Sequence, residues 1–316
     1  MTIQIASVPN GTVTSAKGFS AGAVFAGIKT PGTDKRDIGL LVSDKPCTVA
    51  GTFTQNSIIS PSASLTRDRV GISKKVKAVV ANSGCANCAV GDQGLVDAKE
   101  TTDIAALHLG TTSEETLVAS TGVIGVELPM ALMREYIPKI NVTEDGGGEF
   151  AKAILTTDKK SKEIAVSFEV VGISHTVGGV SIGSGLIHPI MATFLAFTTT
   201  DANVDPAFLQ ETLSNAVKLS FNQIDVDGDQ STNDTVILMA NGAAEGALLK
   251  GGNDASDAFA QAVLAVCKHL AIEIARDGEG ATKLIEVTVD GAPVSYTHLR
   301  AHETRHDVVC RLLLEK

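Results

Sequence analysis

Residues Gly178 to Asp201, GGVSIGSGLIHPIMATFLAFTTTD, constrain this chain more than any other stretch. The run carries no Lys, Arg or Glu, and its one charge is the terminal Asp201. Uncharged runs of this length occur in membrane spans, but Gly178, Gly179, Gly183, Gly185 and Pro189 interrupt it repeatedly. It reads as a buried turn feeding a strand. Gly183-Ser184-Gly185 permits backbone with positive φ, His188-Pro189 fixes an extended approach, and Phe194 to Phe197 resumes a β-type apolar run. Between turn and strand sits Ala192-Thr193, a small residue before a β-branched hydroxyl.

A chain of 316 residues can bury a large core, as one large domain or two smaller ones. A net charge of −10 argues against nucleic acid or an anionic membrane as partner, because its field repels phosphates. Small molecules are the expected ligands. The first residues, MTIQIASVPNG, lack the basic start and apolar core of a secretion signal, and no uninterrupted apolar run is expected to span a bilayer, so a cytoplasmic location is expected. The five cysteines, an odd number in a long chain, fit reduced thiols better than a disulfide framework.

Short strands are expected over Gly18–Lys29, Asp37–Val42, Val76–Asn82, Glu163–Val171, Thr235–Ala240 and Lys283–Val289. Helices are expected over Leu95–Leu109, with Ala98, Ile104, Ala105 and Leu107 inward, and over Pro129–Tyr136, Asp205–Ser220 and Ala255–Arg276. Strand and helix are expected to alternate from the start. Several strands with a few long helices indicate an α+β layered architecture.

Ser295 to Lys316 differs in character: it holds three of the seven histidines and no glycine. The segment resembles the translation of a common sequencing adapter, which implies a native sequence ending near Pro293 or Val294. His298, His302 and His306 fall at the spacing of one helical face, the pattern of a metal site in a native helix. No metal or cofactor is expected.

A threonine hydroxyl is a poor nucleophile until a base takes its proton. Self-cleavage at Ala192-Thr193 would supply that base, because the freed α-amino group has an ordinary pKa of roughly 7.7–8.0. The plain alternative is that Thr193 is an ordinary strand residue. SGSGLIHPIMATFLAFTTTDA, together with STGVIGVELPM, ILTTD, SFNQIDVDGDQSTNDTVILMANG and DGEGATKLIEV, resembles in order the ornithine acetyltransferase family, the bifunctional glutamate N-acetyltransferases of arginine biosynthesis. The resemblance runs from about Gly18 to Val289. It implies a layered α/β sandwich of the N-terminal-nucleophile type, and self-cleavage into an α chain (1–192) and a β chain (193–294) followed by the non-native tail (295–316). It also implies assembly of the two chains as a hetero-tetramer, and acetyl transfer from N-acetylornithine to glutamate with acetyl-CoA as a possible further substrate.

By position, the resemblance makes Ala192-Thr193 the cleavage site, Thr193 the acetyl-accepting nucleophile, Thr121 and Gly122 the oxyanion-hole pair, and Thr156, Thr193 and Glu279 substrate-binding residues. The family's lysine eleven positions before the nucleophile is Ile182 here, which removes a cation suited to a substrate carboxylate. The family also continues past DGEGATK with further substrate-binding residues that this chain lacks. Two other readings are an N-terminal-nucleophile amidohydrolase or aminopeptidase, in which water resolves the acyl-enzyme, and an inactive remnant that only binds ligand. Cys85 and Cys88 read as a backbone turn, since one CxxC pair does not make a zinc site. Asp225, Asp227 and Asp229 begin like a calcium loop but lack its later glycine and glutamate. Gly183-Ser184-Gly185 lacks the glycine spacing of a nucleophile elbow.

Overall fold

The computed structural model describes residues 5–30, 35–72, 75–188, 194–289 and 309–314. Twelve strands and six α-helices are found among them: β1 (Ile5–Ser7), β2 (Phe19–Val24), β3 (Ile38–Phe53), α1 (Pro61–Ile72), β4 (Lys75–Asn82), α2 (Gln93–Leu109), β5 (Thr116–Ser120), α3 (Met130–Tyr136), α4 (Gly147–Ile154), β6 (Lys162–Val170), β7 (Ile173–Ile182), β8 (Leu195–Thr200), α5 (Pro206–Lys218), β9 (Ile224–Asp225), β10 (Thr235–Ala240), α6 (Asp254–Arg276), β11 (Leu284–Val289) and β12 (Val309–Leu314). The α+β class holds. Alternation from the start does not, because three strands precede the first helix.

Nine strands form one mixed sheet in the order β1-β6-β7-β8-β10-β3-β4-β5, with β2 also on β3. The expected strand Asp37–Val42 is only the beginning of β3, whose 16 residues let one strand serve two partners end to end. β2 pairs with Ile38–Ser43 and β10 with Thr48–Phe53. Its apolar run breaks at Ser43-Asp44-Lys45-Pro46, where the register shifts against β4, so the sequence reads as ending there although the chain stays extended. β8 lies antiparallel to β7 and parallel to β10, near the middle of the sheet.

Both faces of the sheet around β8 are covered. Phe194 stacks on Phe221 at 4.4 Å between ring centres, in the cluster built with α5 and α6. Phe197 meets Phe150 of α4 edge-on at 5.3 Å in a second cluster. Helix α5 starts as its sequence indicates, with Asp205 accepting from the Ala207 and Phe208 amides and Pro206 in the first turn. Helix α6 buries Phe259, Val263, Val266, Leu270 and Ile274 as expected. By length and composition this helix could cross a membrane, contrary to the sequence reading, but its apolar face packs on β6 and β7.

Helix α2 departs further from expectation. Its buried stripe is Gly94, Asp97, Ala98, Thr101, Thr102, Ala105 and Ala106, whereas Leu107 is 85% exposed. Small residues let this helix approach α1 and β5 closely, so its apolar residues do not mark its inner face. A second sheet, in the order β11-β12-β9, includes Val309–Leu314 from the segment that resembles adapter translation. Cys47, Cys85, Cys88 and Cys267 are free and buried, and burial pushes the Cys47 and Cys267 thiols up to about 12.

Candidate active site

The turn after β7 is held from three directions. Lys162, at the start of β6, is wholly buried and donates to Asp158 Oδ1 at 2.5 Å and Asp277 Oδ2 at 2.8 Å. Asp158 Oδ1 also accepts from the Gly183 amide, and its Oδ2 from the Thr156 amide. Asp277 Oδ2 also accepts from the Lys159 amide. One buried ion network therefore joins ILTTD, the GSG turn and DGEG.

Of the expected substrate residues, Thr156 and Glu279 lie on loops that this network ties to the GSG turn. Thr157 Oγ1 lies 2.7 Å from Ser184 Oγ, and the Glu279 amide donates to the Ser184 carbonyl at 2.6 Å. The Glu279 carboxylate lies against Gly185, where an added β-carbon would sit 3.0 Å from Glu279 Cδ. The left-handed residue expected within the glycines falls at Leu186 as well, with φ 55°. Its amide and that of Ile187 both donate to the Asp227 carboxylate, at 2.5 and 2.8 Å. Asp227, one of the aspartates that resemble a calcium loop, thus holds the turn by its backbone, while His188 Nδ1 lies 3.5 Å from Asp225 Oδ1. Among the described residues no group of three or more His, Cys, Asp or Glu side chains could hold a metal ion.

Ala192 and Thr193 lie outside the described residues, as do His298, His302 and His306. Description resumes at Phe194, whose amide donates to Asp234 Oδ1 at 3.3 Å. The neighbouring Asn233 Nδ2 donates to the carbonyls of Ala86, at 2.6 Å, and Ser120, at 2.7 Å. This fixes the turn Thr121-Gly122 relative to Phe194. Gly122 has φ 127°, and a β-carbon there would lie 2.4 Å from the Gly84 carbonyl carbon, so the close passage of the two loops requires glycine. The Thr121 amide is committed to the Asn82 carbonyl at 3.0 Å. What Thr121 can offer a developing oxyanion is its hydroxyl, beside the Gly122 amide.

Ile182 is 1% exposed and packs in the α4 cluster, so its position supplies no cation. Cations lie instead around a cleft of about 440 Å³ at Thr156, lined by Lys29, Lys35, Arg36, Lys152 and Lys159. Lys29 Nζ donates to the Leu155 carbonyl at 2.7 Å, and burial lowers its pKa against the opposing pull of Asp37. Arg36 and Lys152 both pair with Glu149.

Residues the sequence did not single out are Lys162, Asp277, Asn233 and Asp234. Asp277 opens the DGEGATK block of the resemblance and the last two stand inside its STND stretch, so the blocks are visible in the sequence while the contacts are not. A lysine before an alternating strand gives no sign of burial, because its two carboxylates come from 4 and 115 positions away.

The ArgJ family profile matches residues 20–313, and so extends into the segment 295–316. An arginine biosynthesis bifunctional protein ArgJ from Symbiobacterium thermophilum is 49% identical over 284 residues, covering 89% of this chain and 70% of that protein. The crystal structure of ornithine acetyltransferase from Mycobacterium tuberculosis, complexed with ornithine, matches with a TM-score of 0.53 and 30% identity, covering 59% of this chain and 98% of that chain. The L-aminopeptidase D-Ala-esterase/amidase of Ochrobactrum anthropi, a variant of the N-terminal-nucleophile hydrolase fold, matches with a TM-score of 0.52 at 12% identity over 86% of this chain and 88% of that one, a likeness of fold alone. With the profile spanning most of its length and a relative at nearly half identity, the chain belongs to the ArgJ family of bifunctional arginine-biosynthesis enzymes.

Proposed function

We infer that this chain cleaves itself at Ala192-Thr193 and then moves an acetyl group from N-acetylornithine to glutamate through an acetyl-Thr193 intermediate, with acetyl-CoA as a further donor. The reading divides the chain into an α piece (1–192), a β piece (193–294) and a tail (295–316), the two pieces assembling as a cytoplasmic hetero-tetramer. The observation that carries it is the convergence of Thr156, Ser184-Gly185 and Glu279 at one end of the undescribed segment, and of Thr121-Gly122, tied through Asn233-Asp234, at the other. A relative that holds ornithine supports the substrate class.

In this reading the Thr193 amine takes the proton of its own hydroxyl as the oxygen attacks the acetyl carbonyl. The Thr121 hydroxyl and Gly122 amide meet the oxyanion, and Glu279 receives the ornithine ammonium. Lys35 and Lys159 at the Thr156 cleft supply positive charge that position 182 does not. The test is acetyl transfer by purified wild-type chain and Thr193→Ala, with and without glutamate. Transfer that depends on glutamate and is lost in the variant is expected. Deacetylation at the same rate without glutamate would assign the chain to hydrolysis, and full activity in Thr193→Ala would refute the nucleophile.

A further inference from the structure

A net charge of −10 makes this chain repel phosphates at long range, yet the cleft at Thr156 reverses that sign locally. Five basic side chains line it, Lys29, Lys35, Arg36, Lys152 and Lys159, against two acidic ones, Glu149 and Asp158. Both carboxylates are already committed. Glu149 is shared by Arg36 and Lys152, and Asp158 turns inward to buried Lys162. Lys35 and Lys159, both exposed, are left at the cleft without a lining carboxylate of their own.

The floor of the cleft is fixed. The wholly buried Asp37 carboxylate accepts from the successive amides of Ala26, Gly27, Ile28 and Lys29, which pins the loop that carries Lys29. Lys29 Nζ gives one of its three hydrogens to the Leu155 carbonyl and keeps two for a ligand. Burial lowers the Lys29 pKa first; Asp37 opposes this and Lys35 adds to it, so two cations stand close enough to repel. Like charges crowded in a cleft are unfavourable in the free protein, and a bound anion relieves them.

Charge and size select the anion. The excess of three cations is more than a single α-carboxylate neutralises, and about 440 Å³ is the scale of small-molecule and cofactor pockets. A phosphate monoester brings roughly 1.5 to 2 negative charges at neutral pH with three acceptor oxygens, and lysines on flexible stems suit such groups as point charges. The cleft also adjoins the candidate site. Thr156 lines it, and the next residue, Thr157, lies 2.7 Å from Ser184.

We propose that this cleft is a phosphate-binding site for a ligand carrying two or more phosphate groups. Two sources share that chemistry, the phosphorylated adenosine end of acetyl-CoA and a free nucleotide. The cleft's continuity with Thr156 favours the first. That assignment rests on the proposed function, in which acetyl-CoA is a donor; the phosphate site itself does not.

Calorimetric titration of the full chain with adenosine 3′,5′-bisphosphate, ATP and inorganic pyrophosphate reads the site without turnover. Saturable binding is expected, weaker by about tenfold in the double variant Lys35→Gln, Lys159→Gln, the combined effect of two lost exposed charge pairs. Lys139→Gln with Lys250→Gln removes the same charge outside the cleft and should leave the affinity within about twofold. No saturable binding of any of the three, or equal affinity in the wild type and the Lys35, Lys159 variant, overturns the proposal. So does equal weakening by the two double variants. The source is read from acetyl transfer. A KM for acetyl-CoA about tenfold or more below that for acetyl-pantetheine, which keeps the thioester and lacks the phosphates, assigns the site to the donor if the gap narrows in the Lys35, Lys159 variant. Equal KM values, with nucleotide binding intact, assign it to a free nucleotide. No transfer from either thioester refutes acetyl-CoA as a donor, a failure of the proposed function, while the titrations still decide the phosphate site.

Discussion

Replacing Lys162 with methionine isolates the buried network that gathers the candidate site. Methionine ends one atom short of the lysine ammonium but keeps most of the volume, so the change removes chiefly charge rather than packing. Lys162 holds two carboxylates at 2.5 and 2.8 Å, and all three side chains are at most 3% exposed. Removing one partner of such a group typically costs about 3–5 kcal/mol, because the remaining charge stays buried. The Gly183, Thr156 and Lys159 amides still reach Asp158 and Asp277, which argues for the lower part of that range. Even about 3 kcal/mol is a large share of the 5–15 kcal/mol by which domains are ordinarily stable.

Urea unfolding of wild type and Lys162→Met at neutral pH reads this cost directly. A triple variant with Asp158→Asn and Asp277→Asn should recover most of the stability, since neutral replacements remove the stranded charges. It should not recover acetyl transfer, because Gly183 and Thr156 lose their charged acceptor. Lys162→Met within about 1 kcal/mol of wild type would refute the assignment of this network as the element that holds the three loops.

Thr121→Val should lower the transfer rate constant by about 10²–10³-fold, the effect of one lost oxyanion donor, while Thr121→Ser keeps most activity; initial rates with saturating donor distinguish the two. Wild-type fragments should co-purify until denatured, because β8 forms six residue pairs with β7 and β10 forms six with β3; separation on native size exclusion would contradict this sheet. Asp234→Asn should remove a pH-dependent penalty. The raised carboxyl pKa makes wild-type stability complete below about pH 3.9 and progressively lost as pH rises toward the folded value, at up to about 1.4 kcal/mol per unit. Urea midpoints of the two proteins should therefore converge near pH 4 and diverge above it.

How the sequence carried this information differs from residue to residue. Helix α5 was legible because Asp205 and Pro206 act within a few positions of their partners. Helix α6 was legible because its buried face is also its apolar face. Leu107 misled because α2 packs through Ala and Thr, so apolarity and burial separate there. The full length of β3 was hidden by a polar interruption that only its neighbours in the sheet bridge. At the site, Thr121-Gly122 stood out as a turn, and the resemblance assigned Thr156 and Glu279. What gathers them did not stand out. Lys162, Asp277 and Asp234 act across sheet and loop contacts, and no local pattern records partners that arrive from 115 positions away, as for Lys162 and Asp277, or from 40, as for Asp234 and Phe194.

The central claim is a threonine freed by self-cleavage that carries acetyl. Its most direct test is denaturing mass spectrometry of the protein after exposure to N-acetylornithine without glutamate. Two fragments meeting between Ala192 and Thr193 are predicted, with one acetyl group on the fragment that begins at Thr193 and its loss when glutamate is added. A single intact chain that transfers acetyl at the same rate, or acetyl carried elsewhere than Thr193, would contradict the account.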